Sequence, residues 1–303
     1  MSSSSINTLK LFDPQCKISV VTTPAMSELF KTHFGADTIY QVPKRPKYWQ
    51  LKKLAEELGE VDLIISLNDN MKMKDMYFLN KVNANHIAGL DDTLKLVDIK
   101  LGEKTKNLHF SDKFSAALES VGIPASSTQY IIPVLGESKD KATQFLNSNS
   151  IQNDFLVLNP FGSGHSRKLN HDSVHKLVTL INESTPELPI ILLSAPDTEA
   201  DAEKMCQTLP ENVTHFNISE TIFDVIALIE QASYVISVDT AIVHIASGLN
   251  KPQLGIYNPD PKNFAQWGPN SDKAITIFTN KCSPPSVNDI NWSTMKEKIE
   301  QLV

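Results

Sequence analysis

The segment ISVDTAIVHIASGLNKPQLGIY, residues 236–257, constrains the fold more than any other stretch, because strand, turn, helix and strand follow one another without slack. The apolar run 234–238 reads as a buried strand with Asp239 and Thr240 at its carboxyl end. Residues 240–248 read as a helix closed by Gly248, and 253–257 as the next strand. On that helix Ile242, Ile245, Ala246 and Leu249 fall at i, i+3, i+4 and i+7, which fixes one face as core. Thr240, Ala241, His244, Ser247 and Gly248 share the opposite side. His244 stands one turn from Thr240, where free backbone N–H groups and the positive end of the helix dipole suit a phosphate. A diphosphate fits this arrangement. Spacing alone leaves a plainer reading open, in which Asp239 and Thr240 only cap the helix and His244 is solvated.

Elsewhere apolar strand-like runs alternate with helical patterns, which predicts an α/β chain of parallel sheets flanked by helices. In the first half the strands are expected at 18–22, 38–42, 62–67 and 86–90, with helices over 26–34, 48–58, 71–81 and 111–121. The polar stretch GESKDKATQFLNSNSIQND reads as a connection, so two domains are expected, 1–148 and 149–303. A chain of 303 residues with 41% hydrophobic content is long enough for two cores of about 150 residues each.

Charge is unevenly divided: residues 1–150 carry 18 Lys plus Arg against 17 Asp plus Glu, and residues 151–303 carry 10 against 18. The acidic second half argues against a nucleic-acid binder. In the first half Lys44, Arg45, Lys47, Lys52 and Lys53 form one basic cluster, and Lys72, Lys74 and Lys81 another. These suit an anionic acceptor, or are ordinary solvated faces. No apolar run approaches the roughly 18 residues of a membrane span, and the start lacks a secretory pattern, so a cytoplasmic protein is expected. Cys16, Cys206 and Cys282 are odd in number and outside CxxC spacing, which predicts neither disulfides nor a zinc site. The Walker spacing, a full GxGxxG, GxSxG and HExxH are all missing, so ATPase, dehydrogenase, serine-hydrolase and zinc-protease chemistry lack support.

DTAIVH followed by IASGLNKP and a strand resembles the signature of the heptosyltransferase family of bacterial glycosyltransferases. LVLNPFGSGHSRK, residues 156–168, resembles that family's strand and phosphate-facing loop, and QWGP, residues 266–269, the loop after its last motif strand. The resemblance is strong over 155–270 and looser before it. It implies a GT-B fold, two Rossmann-like domains with parallel sheets facing across a cleft, the last helix, 292–302, crossing back to the first domain. It further implies an inverting, metal-independent transfer of heptose from ADP-heptose to a lipopolysaccharide-core acceptor, with peripheral contact at the inner membrane.

Carried over residue by residue, the resemblance places Asp239, Thr240, Ala241 and His244 on the sugar-diphosphate. Lys168 then neutralises a phosphate, Ser163 and Gly164 line the same loop, and Glu199 lies near the nucleotide. Residues 219–222 fall where the family holds the base of the nucleotide. Two departures stand out. The family's glycine after Asp-Thr is Ala241 here, which keeps the N–H but adds a methyl where the phosphate approaches. The family's opening strand and Gly-Asp turn, source of its catalytic base, have no counterpart in MSSSSINTLKLFDPQCKISVVTTP. The catalytic base is therefore unassigned, Asp69 and Asp75 being the next acidic candidates. An open sheet edge beside 18–22 is expected to favour a dimer. A nucleotide-sugar-binding relative without catalysis is the competing expectation.

Overall fold

The computed structural model describes residues 2–303 and divides into two compact units after Ile131. In the first unit α1 (Ser3–Phe12) precedes β1 (Ser19–Thr22), α2 (Pro24–Glu28), β2 (Thr38–Gln41), α3 (Tyr48–Leu58) and β3 (Glu60–Ser66). Then come α4 (Met73–Lys81), β4 (Asn83–Gly89), β5 (Ile99–Lys100), α5 (Gly102–Thr105) and α6 (Phe110–Glu119). β1 pairs with β2, and β3, β4 and β5 form a second sheet, all in parallel. The expected helix over 26–34 is instead α2 continued by a π-helical turn, Leu29–His33.

The serine run at the start belongs to α1: Ser3, Ser4 and Ser5 are buried. The Ser3 Oγ accepts from the Ile131 N–H at 3.0 Å, the Ser4 hydroxyl donates to the Gln129 carbonyl, and Ser5 and Ser126 share a 2.9 Å bond. Ile6 then packs with Ile18 and Ala36. Asp75 caps α4, accepting from the Lys72 N–H at 2.9 Å and from Asn68 at 3.1 Å.

The second unit runs α7 (Gly136–Ser148), β6 (Leu156–Asn159), α8 (His171–Ser184), β7 (Ile190–Leu192), α9 (Glu199–Cys206) and β8 (Val213–His215). It continues with α10 (Ile222–Gln231), β9 (Tyr234–Val238), α11 (Ala241–Gly248), β10 (Gln253–Tyr257), α12 (Pro261–Trp267), β11 (Ala274–Phe278) and α13 (Trp292–Leu302). One six-stranded parallel sheet has the order β11-β10-β9-β6-β7-β8. The chain lays β6, β7 and β8 outward in one direction and then returns to start β9 on the other side of β6. That reversal opens a crevice at the carboxyl ends of β6 and β9, where open parallel sheets bind their ligands. Both strands are buried along nearly their whole length, as parallel strands with helices on both faces must be.

Two boundaries differ from those expected. The division falls at 131/132 rather than 148/149, because the polar-looking stretch after Leu135 folds as α7 and joins the second unit. Ser138, Ala142, Phe145 and Leu146 make a buried stripe at helical spacing, and Phe145 meets Phe216 edge-on at 4.9 Å. Likewise α13 packs on α8, β10 and β11 of its own unit instead of crossing back. Met295, Ile299 and Leu302 enter the same core as Ile256 and Ile277, and Lys296 pairs with Glu183 at 2.9 Å.

A buried carboxylate pins α7 to α10. Asp224 accepts from the Ser138 hydroxyl at 2.8 Å, the Glu220 and Thr221 N–H groups at 2.9 and 3.1 Å, and the Lys141 ammonium at 3.3 Å. Burial pushes its pKa up, and these hydrogen bonds and Lys141 outweigh that and hold it below the usual value. Residues 219–222 accordingly serve as the cap of α10: Thr221 is its N-cap, with Asp224 completing the capping box. Asp224→Ala is expected to lower stability by about 1–3 kcal/mol, measured by urea unfolding, since it strands the buried Ser138 hydroxyl and removes the cap of α10. Because the folded pKa lies below the unfolded value of about 3.9, the Asp224 contribution is complete above that value. It disappears as pH falls through the folded pKa, so the gap between parent and variant should close in acid.

Candidate functional site

The crevice is organised by Asn159, the last residue of β6, which the parallel register sets opposite Ser237 of β9. Its buried side-chain amide donates to Ser237 Oγ at 2.9 Å and to Thr240 Oγ1 at 3.0 Å. Ser237 donates its own proton to the Val238 carbonyl at 2.8 Å. Thr240 Oγ1 also accepts from the Ile242 N–H at 3.2 Å, which makes Thr240 the N-cap of α11. With both acceptor positions of Thr240 engaged, its hydroxyl proton has a long 3.3 Å approach to Ser237 or points outward. The Ile242 and Val243 N–H groups are spent on the Thr240 hydroxyl and carbonyl, so the start of α11 offers the crevice the N–H of exposed Ala241.

The strand, helix and strand of 234–257 fold as expected, with refinements. Ile242, Val243, Ile245 and Ala246 are buried, while Leu249 is half-buried. Ser247 leaves the solvent side and is buried, its hydroxyl donating to the Val243 carbonyl at 2.9 Å. Gly248 is the last helical residue, but the left-handed conformation that ends the helix belongs to Asn250, φ 53°. His244 is half-buried on the outer side, 6.5 Å from the Trp267 ring in the QWGP segment.

The loop after β6 closes onto Thr240. Gly162 donates to the Arg167 carbonyl at 2.9 Å, and the antiparallel bridge between Phe161 and Lys168 seals the loop's base. A Cβ at position 162 would stand 2.6 Å from that carbonyl, 2.7 Å from the Arg167 Cβ and 3.2 Å from the Thr240 methyl. Only glycine allows so close an approach. Ser163 and Gly164 form the exposed tip, and Gly164, φ 82°, starts the 3-10 turn His165–Arg167. The Asn258 amide donates to the Ser166 carbonyl at 3.0 Å and fixes the turn from the end of β10.

Asp239, itself buried, receives the Asn263 amide at 3.0 Å and faces the Arg167 guanidinium at 3.5 Å. The sequence pointed to Lys168 as the loop's cation, whereas the side chain brought to the motif is that of Arg167. Lys168 is the next residue, half-buried and extended, with no ion-pair partner among the described residues. Its carbonyl accepts from Asn288 at 2.9 Å. Glu199 opens α9 at the end of β7, two strands from β9 in the sheet. There it lies within electrostatic reach of His215, whose pKa burial lowers more than Glu199 and Glu203 raise it. The His215 Nε2 meets the Ser194 hydroxyl at 2.8 Å. Asn159, Arg167 and Asn263 escaped the sequence reading. Only for Arg167 was there a signal, its place beside Lys168.

Residues 51–291 match the family model described as glycosyltransferase family 9 (heptosyltransferase). The chain belongs to that family. This family 9 glycosyltransferase is 28% identical over 307 residues to the Escherichia coli (strain K12) protein named "Putative lipopolysaccharide heptosyltransferase 4", covering 97% of this chain and 81% of that one. It is similar to the crystal structure of the family 9 glycosyl transferase from Veillonella parvula, TM-score 0.79 at 16% identity, covering 99% of this chain and 92% of that one. It is also similar to the E. coli heptosyltransferase WaaC solved with ADP-2-deoxy-2-fluoro heptose, TM-score 0.68 at 16% identity, covering 100% and 95%. These likenesses establish the GT-B fold of two Rossmann-like domains.

Gly162→Ala is expected to destabilise this glycosyltransferase by about 1–3 kcal/mol in denaturant unfolding, since the loop must move off Thr240. Gly164→Ala also carries a backbone cost, but meets no atom, because its Cβ would have nothing within 4 Å.

Proposed function

We propose that this family 9 glycosyltransferase moves heptose, with inversion, from ADP-heptose to a lipopolysaccharide-core acceptor, and that the crevice between β6 and β9 holds the donor diphosphate. The observation that carries the reading is the convergence of the Arg167 guanidinium, the capped start of α11 and a glycine-closed loop at one switch point. The relatives support the substrate class: one is named a lipopolysaccharide heptosyltransferase, and another was solved with an ADP-sugar analogue.

In this reaction an acceptor hydroxyl oxygen bonds to the anomeric carbon from one face while the bond from that carbon to the β-phosphate oxygen breaks on the other. ADP leaves, and the hydroxyl proton passes to a base. Negative charge grows on the departing diphosphate. Groups aimed at that charge accelerate the step most, because they bind the transition state better than the ground state. Here those groups are the Arg167 guanidinium, the Ala241 N–H, the Thr240 hydroxyl and His244. Lys168, Ser163 and Gly164 line the outer part of the loop, and Glu199 lies on the side of the nucleotide. The Ala241 methyl narrows the approach to the helix start without removing an N–H. The chemistry calls for no metal, since the fixed donors and the guanidinium supply the positive charge.

Calorimetry with ADP, GDP and UDP is expected to show ADP binding most tightly. Arg167→Ala and His244→Ala should each lose at least about tenfold in affinity, the value of about 1.5–3 kcal/mol for one charge-assisted phosphate contact. Lys168→Ala should lose less than Arg167→Ala. Parental affinity in both the Arg167 and His244 variants would remove the diphosphate from this crevice. Release of ADP from ADP-heptose in the presence of heptose-deficient lipopolysaccharide tests the transfer itself. Donor binding without ADP release would instead identify a nucleotide-sugar-binding relative.

A further inference from the structure

The backbone that carries Arg167 is held mostly from outside its own loop. Three successive carbonyls there each accept a hydrogen bond. The Ser166 carbonyl takes two, from the Val287 N–H and the Asn258 side-chain amide, both at 3.0 Å. The Arg167 carbonyl takes the Gly162 N–H at 2.9 Å, and the Lys168 carbonyl takes the Asn288 side-chain amide at 2.9 Å. Only the Gly162 bond is local: Asn258 and Asn288 lie 92 and 120 positions away from the carbonyls they bind.

Half-buried Asn288 makes the widest span. Its Oδ1 accepts from the Asn170 N–H at 2.7 Å, and its Nδ2 donates to the Lys168 carbonyl at 2.9 Å and to Ser286 Oγ at 3.2 Å. With acceptor and donors all engaged, the amide has one orientation. It thus joins the residue after Arg167 to Asn170, the N-cap of α8, whose own side chain accepts from the Ser173 N–H at 2.9 Å. The segment presenting Asn288 is anchored in turn. Val287 and Ile290 are buried in the core of the second unit, and Asn280 binds Asp289 through its N–H at 2.8 Å and its side-chain amide at 3.1 Å.

We infer that Asn288 is a positioning residue for the transfer, clasping the turn so that Arg167 rather than Lys168 presents its charge to the donor diphosphate. The inference rests on the diphosphate reading of the crevice. Neighbouring side chains leave a backbone in different directions, so the path of residues 166–168 decides which cation meets Asp239. Lys168 is extended, φ −113° and ψ 127°, and it is this conformation that the Asn288 bond to its carbonyl holds. Asp239 alone would not hold the turn, since the pair is 3.5 Å apart and the guanidinium side chain is 39% exposed. With the clasp closed the guanidinium is in place before the ligand arrives. With it cut, the loop has to be ordered on binding, at a cost in affinity.

The test compares Asn288→Ala with Asn212→Ala, which removes an amide bonded to Asn182 and to the Leu188 carbonyl at the amino ends of the strands. In amide hydrogen exchange of the full chain without ligand, Asn288→Ala should speed exchange over residues 162–170 about threefold or more, and Asn212→Ala should not. Calorimetry with ADP then separates affinity from the number of sites, since a partly unfolded protein loses sites and keeps affinity. Asn288→Ala is expected to weaken ADP about three- to tenfold with the number of sites unchanged. In an Arg167→Ala background it should cost nothing further, because the two residues act as a unit. The donor KM should rise in the transfer assay while the acceptor KM stays. Should Asn288→Ala fail to fold, Asn288→Asp, which keeps the acceptor for Asn170 and loses the donor to Lys168, takes its place with the same expectations. Parental exchange over 162–170, parental ADP affinity where Arg167→Ala has lost it, or an equal further loss in the Arg167→Ala background overturns the proposal. Parental affinity in Arg167→Ala itself overturns the diphosphate reading instead, and the exchange rates then decide whether Asn288 holds the turn.

Discussion

The parallel pairing of β6 with β9 is the constraint from which the site follows. Because the two strands run in the same direction, their carboxyl ends finish together, and the register puts Asn159 opposite Ser237. An amide in that position has two donors to place and finds the Ser237 and Thr240 oxygens at hydrogen-bonding distance. A buried amide left unpaired costs about 1–3 kcal/mol, more than the net worth of the bond, so Asn159, Ser237 and Thr240 specify one another. Thr240 is thereby fixed before it caps α11, and the direction of the helix start is set by the sheet rather than by the helix.

The loop after β6 adds the charge. Its path depends on Gly162, where the Arg167 backbone and the Thr240 methyl leave no room for a side chain. With the loop pressed against Thr240, the turn that follows delivers the Arg167 guanidinium to Asp239. Asp239 is anchored by Asn263 of α12, whose amide donates to the same carboxylate oxygen, Oδ2, that the guanidinium faces. In the proposed reaction the guanidinium exchanges part of its interaction with Asp239 for the phosphate. A planar fork with five donors can serve two acceptors at once, which a lysine ammonium does with less geometric control.

Much of this was legible in the sequence because buried parallel strands are nearly continuous apolar runs. The strands at 234–238 and 253–257 and the helices at 48–58 and 292–302 fold with the boundaries read from their pattern. Polar composition hid what remained. The second domain's first helix, α7, buries only a serine, an alanine, a phenylalanine and a leucine, too sparse a stripe to stand out among its charges. The serines of α1 are buried by hydrogen bonds to residues more than a hundred positions away, a cause that no local pattern carries. The choice between Arg167 and Lys168 is of the same kind. Adjacent cations are equivalent in a string of letters, and only the 3-10 turn decides which one faces Asp239.

A further consequence concerns charge. The half of the chain that contains the crevice, residues 151–303, carries 18 acidic side chains against 10 basic ones, yet the proposed ligand is an anion. Long-range attraction therefore cannot assemble that complex. At physiological ionic strength charges more than about 8 Å apart are largely screened, so the acidic exterior costs little at the crevice. Recognition falls to groups in contact: the guanidinium, a hydroxyl whose acceptor positions are already filled, and the Ala241 N–H at a capped helix start. Such donors are fixed by the fold before any ligand arrives, so little reorganisation is needed as charge develops on a leaving diphosphate. The rigidity imposed by Asn159 and Gly162 is thus the physical link between the sheet's topology and the chemistry proposed for it.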